Sequence, residues 1–401
     1  MRDVDMTRRT GRTIIVLAVA LTICAGTGGS RAQDSATAPS QAVAPFSPAL
    51  DPSSVRRVTD AVAAWQMSHL DDFSYLPTAE QSDQERGWVQ AALWIGAWRW
   101  SQETQSDALE RRVLDWAQTN EFRLGDRLYH ADDHAVAQVY LEMHRKGLAD
   151  DEALVGTRAY FDAILAAPST VPLAFQTTEP LPCLDRWCWS DALFMAPPAW
   201  FQLSRETGDP RYRAFADREF WSTADYLFDP EAGLFFRDSR FFERRGEHGE
   251  KLFWSRGNGW VIAGLIALLE VMPADDPGRG RYETVLKSMA RSLKAAQQPS
   301  GFWSPSLLAV DGPPESSGTA FFVFGLQRGI DLGLLPAADY APTVERGWRA
   351  LVGAVQPDGR LAYTQQIGAA PDTVRFEDTQ LYGAGAFMLA GSAIHAAGQP
   401  R

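Results

Sequence analysis

An all-α toroid of six helical hairpins, the (α/α)6 barrel, is the fold this sequence predicts, and three observations predict it. Helical hydrophobic period dominates from residue 52 onward, and strand-like alternation is almost absent. The helical segments number twelve and alternate in character along the chain. A Pro/Gly turn recurs after the odd members in fixed order, and recurrence of that kind marks a toroid or solenoid.

The twelve segments fall at 52–70, 84–103, 105–120, 132–146, 152–166, 189–207, 210–228, 256–271, 280–298, 316–331, 340–356 and 378–395. Odd members such as Tyr282 to Gln297 and Thr343 to Val355 carry charge on one side, as surface helices do. Even members from the fourth onward open on polar and aromatic residues and then run apolar and small, which implies burial on all sides. Their openings are Asp132-Asp133-His134, Trp189-Ser190-Asp191, Arg256-Gly257-Asn258-Gly259-Trp260, Ser316-Ser317-Gly318-Thr319 and Asp378-Thr379-Gln380-Leu381-Tyr382-Gly383. The repeated turns are Phe228-Asp-Pro-Glu-Ala-Gly233, Gln298-Pro-Ser-Gly301 and Gln356-Pro-Asp-Gly359, where Pro and Gly stop a helix and redirect the chain. Inner helices that start at one end gather all five openings around one bowl, and converging polar groups in a pocket point to an active site.

Residues 1–32 read as an export signal. Arg8, Arg9 and Arg12 form a basic stretch, Ile14 to Ala25 an apolar core, and Ser30-Arg31-Ala32 a small-x-small cleavage site. Residues 33–50, rich in Ala, Pro, Ser and Gln, read as a disordered lead-in, and 51–398 as a single domain in an exported periplasmic or extracellular protein. Nothing approaches the ~20 apolar residues of a membrane span. The formal net charge of −12 opposes binding to nucleic acid and leaves any anionic substrate to be captured locally by particular arginines. Cys183 and Cys188 either pair in an oxidising compartment or line a loop as small buried side chains. The six histidines are scattered without metal-site spacing, so neither metal nor cofactor is expected.

Three pieces of the bowl carry chemistry. Asp191 stands at a helix start beside Trp187 and Trp189. The helix terminus favours its charge while the tryptophans desolvate it, the tension a general acid/base needs; the plain alternative is a helix cap. Asp132 and Asp133 are an adjacent pair in which one caps and the other faces the pocket, Asp133 being the expected pocket member. In Phe253-Trp254-Ser255-Arg256-Gly257-Asn258-Gly259-Trp260, two glycines let a ligand near the backbone. Arg256 offers a fork for a carboxylate, and Asn258 and Trp260 offer hydrogen bonding and stacking. Of the fourteen tryptophans, Trp88, Trp189, Trp254, Trp260 and Trp303 are the expected sugar platforms.

These segments resemble the unsaturated rhamnogalacturonyl hydrolases, relatives of the unsaturated glucuronyl hydrolases. The resemblance rests on Ala131 to Tyr140, Trp187 to Pro198, Phe253 to Trp260, Gly301 to Ser306 with Ser316 to Ala320, and Glu377 to Gly385, in order. It implies an (α/α)6 barrel that removes a 4,5-unsaturated uronic acid from the non-reducing end of lyase-generated oligosaccharides, as a monomer or homodimer. It implies that Asp191 protonates C4 and helps water add at C5, that Asp132 or Asp133 assists, and that Trp189, Arg256 and Trp260 bind sugar. Asn258, Trp254, His134, Ser317 and Thr319 complete the expected substrate-binding set. The chain departs from the family at Leu234-Phe-Phe236-Arg237-Asp238, where a histidine is usual. Either Arg237 or Arg240 binds the uronate carboxylate, or Arg237 pairs with Asp238 as a structural salt bridge. Rhamnogalacturonan is the first expected source of substrate and ulvan or a glycosaminoglycan the second. A saturated-uronide glycosidase or lyase on the same barrel, and a non-catalytic sugar-binding protein, are the readings from other classes.

Overall fold

The computed structural model describes residues 45–176 and 182–399. The expected export signal and most of the expected lead-in lie outside the described residues. Twelve principal helices are present among the described residues: α1 Pro52–Met67, α2 Trp88–Thr104, α3 Asp107–Thr119, α4 Ala137–Arg145, α5 Asp151–Ala166 and α6 Pro197–Thr207 in the first half. The second half has α7 Pro210–Leu227, α8 Ser255–Val271, α9 Arg279–Ala296, α10 Ser316–Asp331, α11 Ala337–Gly353 and α12 Leu381–Gly398. The even helices touch in the order α2, α4, α6, α8, α10, α12 and back to α2, which closes an inner ring. Each odd helix packs on the inner helix before it, and α1 packs on α12, so the six odd helices surround the inner ring.

The two rings differ as the sequence pattern predicts. In α8 every residue from Ser255 to Ile266 is buried, whereas α9 buries the stripe Tyr282, Val285, Leu286, Met289, Ala290 and Leu293 and, apart from Arg279 at its start, keeps its charged residues out of the core. Inner helices approach closely where glycine permits. A Cβ on Gly385 would stand 2.2 Å from the Ala92 carbonyl oxygen, and one on Gly96 would stand 2.1 Å from that of Gly385. Gly385→Ala is expected to cost about 1–3 kcal/mol or more by overpacking, since the obstacle is backbone and cannot rotate away. The shift in denaturant midpoint of the purified variant measures it.

The recurring Pro/Gly turns also have one structural job. Gly233, Gly301 and Gly359 all have positive φ, and a Cβ on any of them would collide with the next outer helix, at Ser292, Arg346 and Ala61 respectively. The turns therefore clip neighbouring outer helices together, the last onto α1. The first of them closes a two-residue antiparallel ladder, Phe228–Asp229 with Leu234–Phe235.

Two predicted inner helices are broken. The fourth is a 3-10 turn, Ala131–His134, followed by α4; the sixth is one helical turn, Ala192–Met195, followed by α6. Pro197 at the start of α6 lacks an N–H, so the chain cannot carry one hydrogen-bond ladder across it. Cys183 and Cys188 form a disulfide that closes the loop before this turn. No helix among the described residues is long and apolar enough to cross a membrane.

Candidate active site

A cavity of about 190 Å³ opens at the end of the barrel where the inner helices start. Its aromatic walls are Trp88, Trp189 and Trp254, its charged groups are Asp132, Asp191 and Arg237, and Gln81, Met195, Ile367 and Gly368 complete the lining. Asp191 directly precedes the turn Ala192–Met195 and is 8 % exposed, and its side chain makes no capping bond. Its Oδ2 accepts a hydrogen bond from the Ser190 hydroxyl at 3.0 Å. Burial pushes the Asp191 carboxyl above its ordinary range; Arg237, the Ser190 hydroxyl and Arg256 pull it back, and Asp132 adds to the rise. Asp132 is pushed up to about 7, chiefly by burial, against the attraction of Arg127 and Arg237. The site thus holds two desolvated carboxyl groups and one guanidinium on a wall of flat rings, an arrangement suited to proton transfer onto an anionic sugar.

Arg237 makes the expected pair with Asp238 and also faces the cavity. It lines the cavity, and its Nη1 donates to Asp238 Oδ2 at 2.7 Å. Asp238 also takes Arg240, so two cations share one carboxylate and the cluster keeps a net positive charge toward the cavity. Arg237 and Arg240 both lie over the Phe175 ring, which fixes their planes.

Several expected site residues stand elsewhere. Asp133, the expected pocket carboxylate, turns away: it accepts from the Arg127 backbone N–H at 2.7 Å and pairs with the Arg127 guanidinium. Asp132 is the pair member that faces the cavity. His134 is buried behind the wall, its Nε2 against the Leu128 carbonyl at 2.9 Å and its Nδ1 accepting from Trp200 Nε1 at 3.2 Å. Burial pushes its pKa down to about 4, so it is a neutral structural histidine. Trp260 is wholly buried beneath the cavity among Trp88, Phe194, Phe321 and Tyr382. Asn258 is spent on the backbone of Phe235, accepting at 2.8 Å and donating at 3.0 Å, which pins the strand that leads to Arg237.

Arg256 is likewise fully buried. It donates to the carbonyls of Gln365 and Gln366 and lies between the Trp254 and Tyr382 rings, 4.4 and 4.6 Å from their centroids. From there it acts on Asp191 by charge and holds the loop that carries Ile367 and Gly368. Ser317 and Thr319 bind Glu315, which caps α10 through the N–H groups of Ser317 and Gly318; Thr319 also accepts from the Trp303 N–H. Trp303 is buried, its Nε1 donating to Leu293 O at 2.7 Å. The glycines of the Arg256 segment serve packing: a Cβ on Gly259 would stand 3.0 Å from Phe321, and one on Gly257 3.1 Å from the Ser190 hydroxyl.

Gln81, Met195, Ile367 and Gly368 carry no sequence signal of function and fall outside the expected set. His130 falls outside it too. Its ring lies beside Trp189, tilted by 50° with 4.9 Å between ring centroids, and its Nδ1 receives the Asp132 N–H at 3.3 Å.

Comparison with known proteins agrees with this geometry. Residues 58–397 match Glycosyl Hydrolase Family 88. A protein of Alteromonas sp. (strain LOR) named unsaturated 3S-rhamnoglycuronyl hydrolase is 39% identical over 396 residues, covering 94% of this chain and 95% of that protein. One of the same name from Formosa agariphila is 34% identical over 342 residues, covering 82% of this chain and 87% of its own. Among solved structures, a glycosyl hydrolase family 88 protein from Bacteroides vulgatus superposes with a TM-score of 0.75 at 27% identity, over 86% of this chain and 99% of that one. A barrel with this cavity and these relatives is a glycoside hydrolase, and the chain belongs to glycosyl hydrolase family 88.

Proposed function

We propose that this hydrolase removes a 4,5-unsaturated uronic acid from the non-reducing end of oligosaccharides in which rhamnose follows it. The observation that carries the reading is the placement of Asp191 and Asp132, both desolvated, in one tryptophan-walled cavity with Arg237. The uronate carboxylate pairs with Arg237, and the sugar rings stack on Trp88, Trp189 and Trp254. Protonated Asp191 delivers its proton to C4 of the enol ether, and the π electrons of the C4=C5 bond form the new C–H bond. Water bonds to C5, where the ring oxygen shares the positive charge, and its spare proton passes to a carboxylate of the site. The resulting C5 hemiketal opens by breaking the bond from C5 to the ring oxygen, which takes up the proton of the C5 hydroxyl, giving a C5 ketone and a C1 hemiacetal. The hemiacetal then collapses to an aldehyde as its hydroxyl proton leaves with the sugar alcohol at C1. No glycosidic oxygen needs protonating at the outset, in contrast to the scheme with two carboxylates astride the glycosidic bond.

Ulvan and rhamnogalacturonan digests both present rhamnose next to the unsaturated sugar. The names of the two relatives, unsaturated 3S-rhamnoglycuronyl hydrolase, support a rhamnose beside the unsaturated uronate, and ulvan is the second of the sources expected from sequence. The basic-then-apolar stretch of residues 1–32 supports export, so that the enzyme meets lyase products outside the cytoplasm.

Far-ultraviolet absorbance of the conjugated enol ether tests the reading. Incubation with lyase-digested ulvan is expected to remove the absorbance with release of rhamnose-ended product, while saturated oligosaccharides of the same sequence stay intact. Loss on rhamnogalacturonan digests alone would reassign the polymer, and cleavage of saturated substrates would overturn the hydration mechanism. Arg237→Ala is expected to raise KM by about 10–100-fold, the value of a charged hydrogen-bonded pair, as read from initial rates over substrate concentration.

A further inference from the structure

Asp191 stands ahead of a helical turn without capping it, so something other than the helix must fix its carboxyl group. Among the described residues the one hydrogen bond to that side chain comes from the neighbouring Ser190 hydroxyl, 3.0 Å from Oδ2. Ser190 is fully buried, and its own backbone N–H donates to the carbonyl of Arg237 at 2.8 Å. One residue thus ties the carboxyl group on one side to the strand end that carries the guanidinium on the other. The bare backbone at Gly257 leaves the space in which the hydroxyl sits, since a Cβ there would come within 3.1 Å of it.

We propose that Ser190 is a positioning residue for the reaction proposed above: by occupying Oδ2 of Asp191 it confines the transferable proton to Oδ1, and through its N–H it holds the proton donor in register with Arg237. In a carboxylic acid the carbonyl oxygen is the better acceptor, so a donor fixed on Oδ2 leaves the O–H on the other oxygen. The same bond receives the negative charge when the proton has left, and bonds to a charged acceptor are the stronger ones. A donor whose O–H points one way matters because a small misplacement of a reacting group costs rate out of proportion to the distance.

Replacement of Ser190 tests this on the intact enzyme. Ser190→Ala removes the hydroxyl without adding bulk, and Ser190→Cys keeps the bulk with a weak donor. Both are expected to lower kcat about tenfold with KM nearly unchanged. The charged groups acting on Asp191 are Arg237 and Arg256, which lower its pKa, and Asp132, which raises it. With these in place, loss of the Ser190 bond removes a lowering influence. The alkaline fall of kcat/KM should then move to higher pH by about half a pH unit or more, the size set by one hydrogen bond. Parent-like kcat with an unmoved alkaline limb in the Ala variant would overturn the proposal, and so would a uniform loss at every pH with the limb unmoved. Asp191→Asn separates this from the reading beneath it. An inactive Asn variant beside a parent-like Ser190→Ala sinks the role of Ser190 alone, and an active Asn variant sinks the assignment of Asp191 as well.

Discussion

Asp191→Asn is expected to lower release of the unsaturated uronate by about 10²–10⁴-fold, the usual contribution of a positioned general acid. Affinity for the oligosaccharide should stay within a few-fold of the parent. The amide has the shape of the carboxylic acid and still offers an oxygen to the Ser190 hydroxyl, but it has no proton to give to C4. The stacking walls Trp88, Trp189 and Trp254 and the cation Arg237 are untouched by the change. Titration calorimetry with an unsaturated disaccharide and the parallel loss of enol-ether absorbance give the two halves of the result. Parent-like turnover in the variant would remove Asp191 from the chemistry. The parent should also lose activity on the alkaline side, because the donor must be protonated, and burial raises the pH at which that proton is lost.

The barrel was legible because its cause is periodic. A helix buried on all sides and a helix buried on one stripe differ along their whole length, so α8 and α9 announce their rings in composition alone. The site was legible only in part, and the reason is depth. Residues just ahead of a helical turn, such as Trp189, Asp191 and Trp254, reach the cavity. Residues inside the helix descend by about 1.5 Å each, so Trp260 lies under the floor and Thr319 braces the cap of α10. A motif read as a string gives Arg256, Asn258 and Trp260 equal claim to the substrate, and the geometry assigns them to holding the wall. The choice between Asp132 and Asp133 depended on Arg127, which reaches across a 3-10 turn and carries no mark of that role in its neighbours. Gln81 comes from a single helical turn, Ala79–Ser82, and Ile367 and Gly368 from a connecting loop, where neither period nor chemistry singles them out.

Asp132→Asn is expected to abolish most activity and yet make the protein more stable at neutral pH. The Asp132 side chain is only 15 % exposed, and burial is the largest influence on its carboxyl group, which rises from 3.8 to about 7. A carboxyl group whose folded pKa lies above its unfolded value favours the folded state only while protonated. Below about pH 4 both states hold the proton and the group costs nothing. As pH climbs from 4 toward 7 the unfolded chain ionises freely while the folded chain resists, so stability falls across that window and levels off above it. An amide escapes this cost. Each tenfold weakening of an acid on folding is worth about 1.4 kcal/mol, so the gain at pH 7.5 is on the order of a few kcal/mol, with the opposing attraction of Arg127 and Arg237 already contained in the folded value of about 7. Denaturant midpoints for parent and variant should therefore coincide near pH 4 and separate in favour of the variant at pH 7.5. The opposite order at pH 7.5 would mean that the two arginines outweigh burial, and Asp132 would then be an ordinary ion-pair partner instead of a strained carboxyl group poised to exchange a proton with water.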